Sequence, residues 1–581
     1  MNTVQSFKGY GKVDERDEAA FQQKTRRRCI IIVVSVLVLT AVVIGAVVGT
    51  LANRNNDEEG SSQSTQTSTA ESIKAVCSVT QYPESCLASL SSSVNGSTKL
   101  NPEQLIKLSM DIALQELSKL SVVPDTLISR TTDPYTKKAL VNCKYLFQDS
   151  VDQLNASIAS MDVGSVNLLL SATKIDDLKT WISTAITNQE TCLDGLDESE
   201  KKIFVEEMKK VMQNSSEFTS NSLAIVTKIM KVLKDLNIPT HRKLLSYVGL
   251  VNDNFPTWVN SADRRLLQAE TKPIADITVA KDGTGDYLTI SEAVKAVAEK
   301  NKTRTVIYVK EGKYAENVFL DKVHWNIMMI GDGMTKTIVS GSLNFIEGTP
   351  TFTTATFIAA GRGFICMDMG FENTAGPDKH QAVAMRSGSD QSVFYRCAFD
   401  AYQDTLYAHS NRQFYRDCEI WGTIDFIFGN AAVVFQGCKI RPRKPMANQF
   451  ITVTAQGKKD PNQNTGISIQ RSVITPLDSF TADIYLGRPW KDFSTTIIME
   501  TEISQIHPKG WIEWIRNVDP PSTIFYGEYK NTGPGSIVSG RVNWTGYQPA
   551  VSDERAAQFT VKSFIEGGEW LPLTNVAFDP L

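Results

Sequence analysis

The sequence of 581 residues has few of the residues from which metal and nucleotide sites are built. Its histidines are few and fit no metal-ligand spacing; they are His241, His324, His380, His409 and His507. It contains no phosphate-binding P-loop, no zinc signature and no G-x-S-x-G nucleophile elbow. The net charge of −4 offers no basic surplus to attract nucleic acid. We therefore expect no metal, no cofactor and no nucleic-acid partner.

Charge is also absent from residues 29–52, which form one apolar run. The run is long enough to cross a bilayer of about 30 Å as a helix. Seven Lys and Arg precede it, so residues 1–28 should stay in the cytosol. We predict an uncleaved transmembrane signal anchor; cleavage after Thr50 or Ala52 is the alternative. The rest of the chain would then enter the secretory lumen.

N-x-S/T sequons after the apolar run fit this secretory route. They lie at Asn95, Asn155, Asn214, Asn301 and Asn543.

Residues 53–70 read as a polar, low-complexity linker, and residues 71–245 follow with a helical pattern. Apolar residues recur there at i, i+3, i+4 and i+7, and Pro102 stands where a helix would begin. In a lumenal domain, four cysteines in this region predict two disulfides, with three pairings possible. These are Cys77, Cys86, Cys143 and Cys192. The pattern predicts an all-α bundle without catalytic residues.

A second linker follows at residues 246–271. One pair of basic residues lies just before it, and another lies within it. Arg242-Lys243 and Arg264-Arg265 are each followed by two leucines. An exposed linker with paired basic residues suits a processing protease. The alternative is two solvated charge pairs of no special function. We predict processing, with a mature chain that begins shortly after Leu267.

The second half of the chain contains an internal repeat of about twenty residues. Phe394-Tyr395-Arg396-Cys397 is echoed by Phe414-Tyr415-Arg416-Asp417-Cys418 and then by Phe435-Gln436-Gly437-Cys438. Short β-rich runs surround these segments, with no helical pattern between them. Such a period predicts a solenoid in which each repeat is one turn of a parallel β-helix.

Three short segments carry most of the chemistry. They are YQDTLY at 402–407, GTIDFIFG at 422–429 and LGRPW at 486–490. Gln381, Gln403 with Asp404, and Asp425 are separated by 22 and then 21 residues, so we expect them to line up on three successive turns. The alternative is a ladder of polar side chains with no chemistry.

From residue 272 to Leu581 the sequence strongly resembles the plant pectin methylesterases. Besides the three segments above, the resemblance rests on VAKDGTGDYLTISEAV at 279–294, GKYAENV at 312–318 and GFENTAGPDKHQAVAMR at 370–386. Residues 71–245 look like the pectin methylesterase inhibitor domain, a four-helix bundle. The resemblance implies a right-handed parallel β-helix that hydrolyses the methyl esters of homogalacturonan (pectin) to pectate and methanol.

The family motifs also imply roles for single residues. Asp425 matches the nucleophile that forms an acyl-enzyme, and Asp404 matches the general acid and base. Gln381 and Gln403 correspond to the groups that stabilise the oxyanion. Arg488 is expected to bind Asp425 through a bidentate fork.

Substrate contacts are expected from Trp490, which would stack on a sugar ring, and less strongly from Thr356 and Tyr407. His380 and His409, although adjacent to these motifs, are interpreted as structural. Cys418 and Cys438 lie one period apart, and a disulfide between them is geometrically reasonable. Cys366 and Cys397 are available as well, which leaves that pairing open.

The expected biology is modification of the plant cell wall. A membrane-anchored precursor would travel through the secretory pathway, and the catalytic half would act in the wall. The helical pro-domain would inhibit, assist folding or retain the precursor. Expected partners are pectin, the processing protease, an inhibitor protein of the same helical family and, before processing, the membrane.

Two other functions remain open at this stage. A polygalacturonase or pectate lyase would cleave the backbone of the polymer on the same β-helix. A catalytically inactive protein would only bind pectin or inhibit.

Overall fold

The computed structural model describes residues 69–94, 100–162, 172–199, 201–235, 274–574 and 576–580. They belong to one contact unit, Thr69–Leu581. In these ranges, no helix is long and apolar enough to span a membrane. Several predictions fall outside the described residues: the anchor at 29–52, nearly all of the linker at 53–70, Asn95, and the basic residues Arg242, Lys243, Arg264 and Arg265.

The N-terminal part is helical, as predicted. Its helices are α1 Thr69–Cys77, α2 Pro83–Ser92, α3 Pro102–Leu120, α4 Val123–Ser129, α5 Pro134–Asp162, α6 Ala172–Asp197 and α7 Lys202–Asp235.

The long helices α3, α5, α6 and α7 pack around one apolar core and form the expected bundle. The start of α3 shows how local sequence fixes a boundary. Pro102 is its first residue, where no N–H is needed. Asn101 caps the helix by accepting a hydrogen bond from the N–H of Gln104, whose side chain accepts one from the N–H of Asn101.

Two disulfides cross-link the helices of the bundle. Cys77–Cys86 joins α1 to α2, and Cys143–Cys192 joins α5 to α6. The structure thus selects one of the three pairings that the sequence allowed.

Residues 274–580 form a coil of short strands. The strands are β1 Ile277–Val279, β2 Thr305–Val309, β3 Gly312–Ala315, β4 Val318–Leu320, β5 Ile327–Ile330, β6 Thr337–Gly341, β7 Phe357–Ala359, β8 Ile365–Met367, β9 Gly370–Asn373, β10 Met385–Ser387, β11 Ser392–Tyr395, β12 Ala398–Asp400, β13 Leu406–Ala408, β14 Arg412–Arg416, β15 Glu419–Gly422, β16 Ile427–Gly429, β17 Ala432–Gln436, β18 Lys439–Pro442, β19 Ile451–Gln456, β20 Gly466–Gln470, β21 Val473–Ile474, β22 Ile484–Pro489, β23 Thr495–Met499, β24 Glu502–Ile503, β25 Phe525–Tyr529 and β26 Tyr547–Gln548.

These strands build three parallel sheets, and most turns of the coil give one strand to each. Sheet A has the order β1-β2-β5-β8-β11-β14-β17-β20-β23-β25-β26, sheet B the order β24-β21-β18-β15-β12-β9-β6-β3, and sheet C the order β22-β19-β16-β13-β10-β7-β4. The predicted parallel β-helix is therefore confirmed.

Stacked aromatic rings fill the inside of the coil. Phe394 stacks on Tyr415 and Tyr415 on Phe435, each with ring centroids 4.6 Å apart. The strand register pairs the same residues. The alignment of Phe394 with Phe414 that the sequence suggested is wrong by one residue. Phe414 points outward and packs under Val561 in the C-terminal segment.

The disulfide between Cys418 and Cys438 that the sequence left open does not form: both are free, buried thiols, as are Cys366 and Cys397. A disulfide needs a dihedral angle near 90° about its S–S bond. Residues stacked in register on neighbouring turns instead point the same way. The Cys418 thiol donates to the carbonyl of Phe394 at 3.3 Å, and that of Cys438 faces the carbonyl of Tyr415.

Short helices cover the first turn of the coil and part of sheet A. Helix α8, Ile290–Ala296, buries Ile290, Ala293 and Val294 against the first strand. After the last strand come α9 Asp553–Ala556, α10 Val561–Phe564 and α11 Gly567–Trp570. Their apolar side chains pack on the outer face of sheet A, which leaves the outer face of sheet C for other contacts.

Candidate active site

Asp425 and Arg488 form a buried ion pair on sheet C. Asp425 precedes β16, and Arg488 lies in β22, two strands further along the sheet. Nε of Arg488 donates to Oδ1 of Asp425 at 2.9 Å, and Nη2 donates to Oδ2 at 2.6 Å. Thr452 adds a hydrogen bond from Oγ1 to Oδ1 at 2.6 Å. Asp425 is 2% exposed, so this fork holds a buried side chain in one orientation.

Asp404 occupies the equivalent place one turn earlier. It precedes Leu406 by two residues, as Asp425 precedes Ile427, and Leu406 pairs with Ile427. Asp404 is 1% exposed, and neither of its carboxyl oxygens has a hydrogen-bond partner in the described part of the chain.

This isolation has an electrostatic consequence. Burial, then the carboxylate of Asp425 and then that of Glu198 raise the pKa of Asp404 well above its usual value, while Arg488 lowers it. The site therefore places a carboxylate held by an arginine beside a carboxyl group whose surroundings favour its protonated form.

Both aspartates have left-handed backbone conformations, with φ of +64° for Asp404 and +51° for Asp425. Aspartate tolerates this region better than most residues. The two turns are thus alike in backbone as well as in register, and each presents its carboxyl group immediately before a strand of sheet C.

Two amide side chains complete this face. Gln381 and Gln403 pair across neighbouring turns through a parallel bridge, and Gln403 directly precedes Asp404, which is in register with Asp425. They are 2% and 6% exposed. Neither side-chain amide donates a hydrogen bond to any described residue, so both retain N–H groups for a ligand.

Aromatic rings lie next to these residues on the outer face of sheet C. This surface, which includes Tyr407, Phe428 and Trp490, is called the groove below. Tyr407 stacks on Phe428 with centroids 4.1 Å apart. Trp490 stacks on Trp514 at 6.2 Å, and the guanidinium of Arg488 lies 4.3 Å from the ring centre of Trp514. Neither Phe428 nor Trp514 was predicted from the sequence, although Phe428 lies within the GTIDFIFG segment.

Thr356, His380 and His409 lie in environments that differ from that of the two aspartates. The hydroxyl of Thr356 donates to the carbonyl of Glu372 at 2.9 Å, so the main chain already uses it. His409 is buried between Ser410 and Thr191, and burial lowers its pKa well below the usual value. Burial also lowers the pKa of His380, which lies in a turn with φ of +60°.

Comparison with known proteins decides the family. The profile described as Pectinesterase matches residues 276–568. Pectinesterase 3 of Phaseolus vulgaris is 54% identical over 591 residues, covering 100% of both chains. Pectinesterase 1 of Arabidopsis thaliana is 53% identical over 587 residues, covering 99% of each. The chain belongs to the pectinesterase family.

The two halves of this pectinesterase match separately. The profile described as Plant invertase/pectin methylesterase inhibitor matches residues 71–225, within the bundle. The solved structure of pectin methylesterase from carrot is 50% identical with a TM-score of 0.52, and the match covers 54% of this chain and 99% of the carrot chain. The carrot chain thus has no counterpart of the bundle.

In the pectinesterase described here, helix α6 of the bundle lies against the β-helix. Its contact residues are spaced by three or four, so they lie on one face of the helix. These contacts are Asp177 with Arg412, Trp181 with Asp390, Thr184 with Asn411, Thr187 with Asn430, Thr191 with His409 and Asp194 with Lys491.

The same bundle extends over the groove of the pectinesterase half. Its apolar core is continuous with Ile358, Tyr407 and Phe428 on sheet C and with Phe352 in the short 3-10 helix Thr351–Thr353. Beyond α6, the carboxylate of Glu198 accepts a hydrogen bond from the N–H of Thr351 at 3.2 Å. The sequence contained no local signal for this docking, because each contact joins residues more than 150 positions apart.

Proposed function

We propose that this chain hydrolyses the methyl esters of homogalacturonan, with Asp425 as nucleophile and Asp404 as general acid and base. The observation that carries the proposal is the pair of unlike carboxyl groups on adjacent turns. Arg488 neutralises Asp425, whereas Asp404 is buried without a partner. One group is thereby suited to attack and the other to donate a proton.

In the first step, an oxygen of Asp425 attacks the C6 carbonyl of a methylated galacturonate. Negative charge develops on the carbonyl oxygen, and the free amides of Gln381 and Gln403 are placed to donate to it. Asp404 gives its proton to the departing methoxide, and methanol leaves behind an acyl-enzyme.

In the second step, Asp404 is a carboxylate and takes a proton from water. The resulting hydroxide attacks the acyl carbonyl, the bond to Asp425 breaks, and the galacturonic acid so formed loses its proton to water as it leaves. Asp404 is then protonated and Asp425 is charged again, as at the start.

Aromatic rings would hold the sugar units on either side of the ester. Trp490 and Trp514 offer one stacking surface, and Tyr407 with Phe428 offers another. Thr356, whose hydroxyl is engaged by the main chain, contributes to the wall of the groove rather than a polar contact.

The bundle would act as an inhibitory pro-domain. A polymer cannot reach Asp404 while the bundle packs on Phe352 and Tyr407, and the half-buried ion pair of Asp194 with Lys491 belongs to the same contact. Assistance in folding and retention of the precursor are further roles that this docking allows.

The precursor would be a membrane-anchored secretory protein with a right-handed β-helix as its catalytic half. Cleavage at the basic pairs between the halves would release that half into the cell wall. Of the described sequons, Asn155, Asn214 and Asn543 have exposed side chains that a glycosyltransferase could reach, and Asn301 is half-buried.

The test compares residues 268–581 with the full lumenal chain on highly methylated pectin. We expect methanol from the short form with no fall in viscosity, little methanol from the long form, and none from the short form carrying Asp425→Ala. A fall in viscosity would favour a polygalacturonase or lyase. A folded short form that binds pectin without releasing methanol would refute the proposed reaction.

A further inference from the structure

Arg386, in β10, is a buried cation without a partner. It is 3% exposed, and its Nε has no hydrogen-bond partner. No ion pair involving Arg386 occurs among the described residues. The flat face of its guanidinium lies 3.6 Å from the ring centre of Phe352. Burying an unpaired charge costs stability, so such a residue calls for an explanation beyond packing.

The strand register places Arg386 on the floor of the groove. It pairs with Tyr407 in β13, which pairs with Phe428 in β16, so the three form one row on sheet C. Neighbouring strands are about 5 Å apart, so Arg386 lies about 5 Å along the coil from the turn of Asp404 and about 10 Å from that of Asp425. These distances are comparable to one or two sugar units.

The other cations of the groove already have partners. Arg488 binds Asp425, and Lys491 pairs with Asp194 of the bundle. Burial lowers the pKa of Arg386 to about 10, so it remains a cation at acidic and neutral pH. The groups of the bundle that act on its charge are Tyr145 and Asp149, so Arg386 faces the side that the pro-domain covers.

We infer that Arg386 binds the free carboxylate of an already demethylated galacturonate, one or two units from the ester under attack. This inference rests on the proposed esterase function. A carboxylate can accept parallel hydrogen bonds from a guanidinium, whereas a methyl ester carries no charge and cannot replace it. Each hydrolysis would thus create the group that favours hydrolysis of a nearby ester, and free carboxylates would accumulate in runs.

The experiment uses residues 268–581, because the solved carrot chain consists of this half alone, without a bundle. Arg386→Gln removes the charge, Arg386→Lys keeps it without the fork, and Arg396→Gln is the matched control. Arg396 pairs with Asp368 at an exposed turn between sheets A and B, outside the groove. Substrates are short galacturonate oligomers, either fully methylated or with one free carboxylate beside the remaining esters.

We expect wild type and Arg396→Gln to favour the oligomer with a free carboxylate. Arg386→Gln should lose about 10- to 100-fold in kcat/KM on that oligomer, mainly through KM, and less than about threefold on the fully methylated one. Arg386→Lys should retain part of the preference. On polymeric pectin, NMR of the products should show runs of free acids from wild type and scattered ones from Arg386→Gln.

An equal loss on both oligomers, with a lower melting temperature, would assign Arg386 a structural role and overturn the inference. An unchanged preference in Arg386→Gln would overturn it too. These results differ from failure of the proposed function, in which the wild-type fragment itself would release no methanol.

Discussion

The fork between Arg488 and Asp425 can be tested by removing the charge of each partner. In Arg488→Gln, the carboxylate of Asp425 stays buried at 2% exposure with only the hydroxyl of Thr452 as partner. Breaking a buried ion pair in this way costs about 3–5 kcal/mol of unfolding free energy. Arg488→Lys keeps the charge and loses one of two parallel hydrogen bonds, so its cost should be about half as large.

A double-mutant cycle separates this pair from its surroundings. Arg488 also lies on the ring of Trp514, and that contact is lost whether or not Asp425 is charged. The cycle of Arg488→Gln with Asp425→Asn should therefore give a coupling energy of about 1–3 kcal/mol for the pair alone. The measurement is urea unfolding of residues 268–581, with methanol release followed in parallel. A coupling below about 0.5 kcal/mol would show that the fork does not hold the nucleophile.

Three further predictions concern the same fragment and the isolated bundle. Gln403→Leu should lower kcat about 10²–10³-fold with little change in KM, measured by methanol release; a loss confined to KM would contradict an oxyanion role. Asp404 must be protonated to act as the acid, and its pKa is raised, so kcat/KM should fall as pH rises through that pKa. Asp404→Asn should abolish at least about 99% of activity, and its residual kcat/KM should no longer fall at high pH; a fall that persists would belong to the titration of another group. Asp194→Asn removes the nearer of the two carboxylates that pair with the half-buried Lys491 and leaves only Glu190, so the inhibition constant of the free bundle should rise about 10-fold; an unchanged constant would show that the pair of Asp194 with Lys491 does not contribute to docking.

Sequence spacing predicted the parts of the fold that repeat. The interval of 21 residues between Asp404 and Asp425 predicted their stacking, because each turn of the coil repeats the register of the turn before it. The same reasoning failed for Phe414, where an extra residue before Cys418 displaced the apparent motif by one position. For Cys418 and Cys438 the spacing left a disulfide open, and the structure shows both as free thiols on neighbouring turns.

Contacts between distant parts of the chain gave no such signal. The unpaired state of Arg386 depends on the loop that carries Phe352 and on strands on both sides. The position of Trp514 next to Trp490 depends on how the chain returns after β24. The docking of α6 joins two halves whose sequences are each complete as separate folds. A periodic pattern carries no information on any of these.

The position of the site within the coil bears on how such a protein can change its length. Gln381, Asp404 and Asp425 come from three consecutive turns near the middle of sheet C, and each turn contacts only its neighbours. A duplicated turn at either end would extend the groove by about 5 Å and leave the reacting groups in place. A duplication between β13 and β16 would instead separate the two carboxyl groups and end the chemistry. The coil therefore tolerates growth at its ends and forbids it at the centre, so the length of polymer that it grips can evolve independently of the reaction.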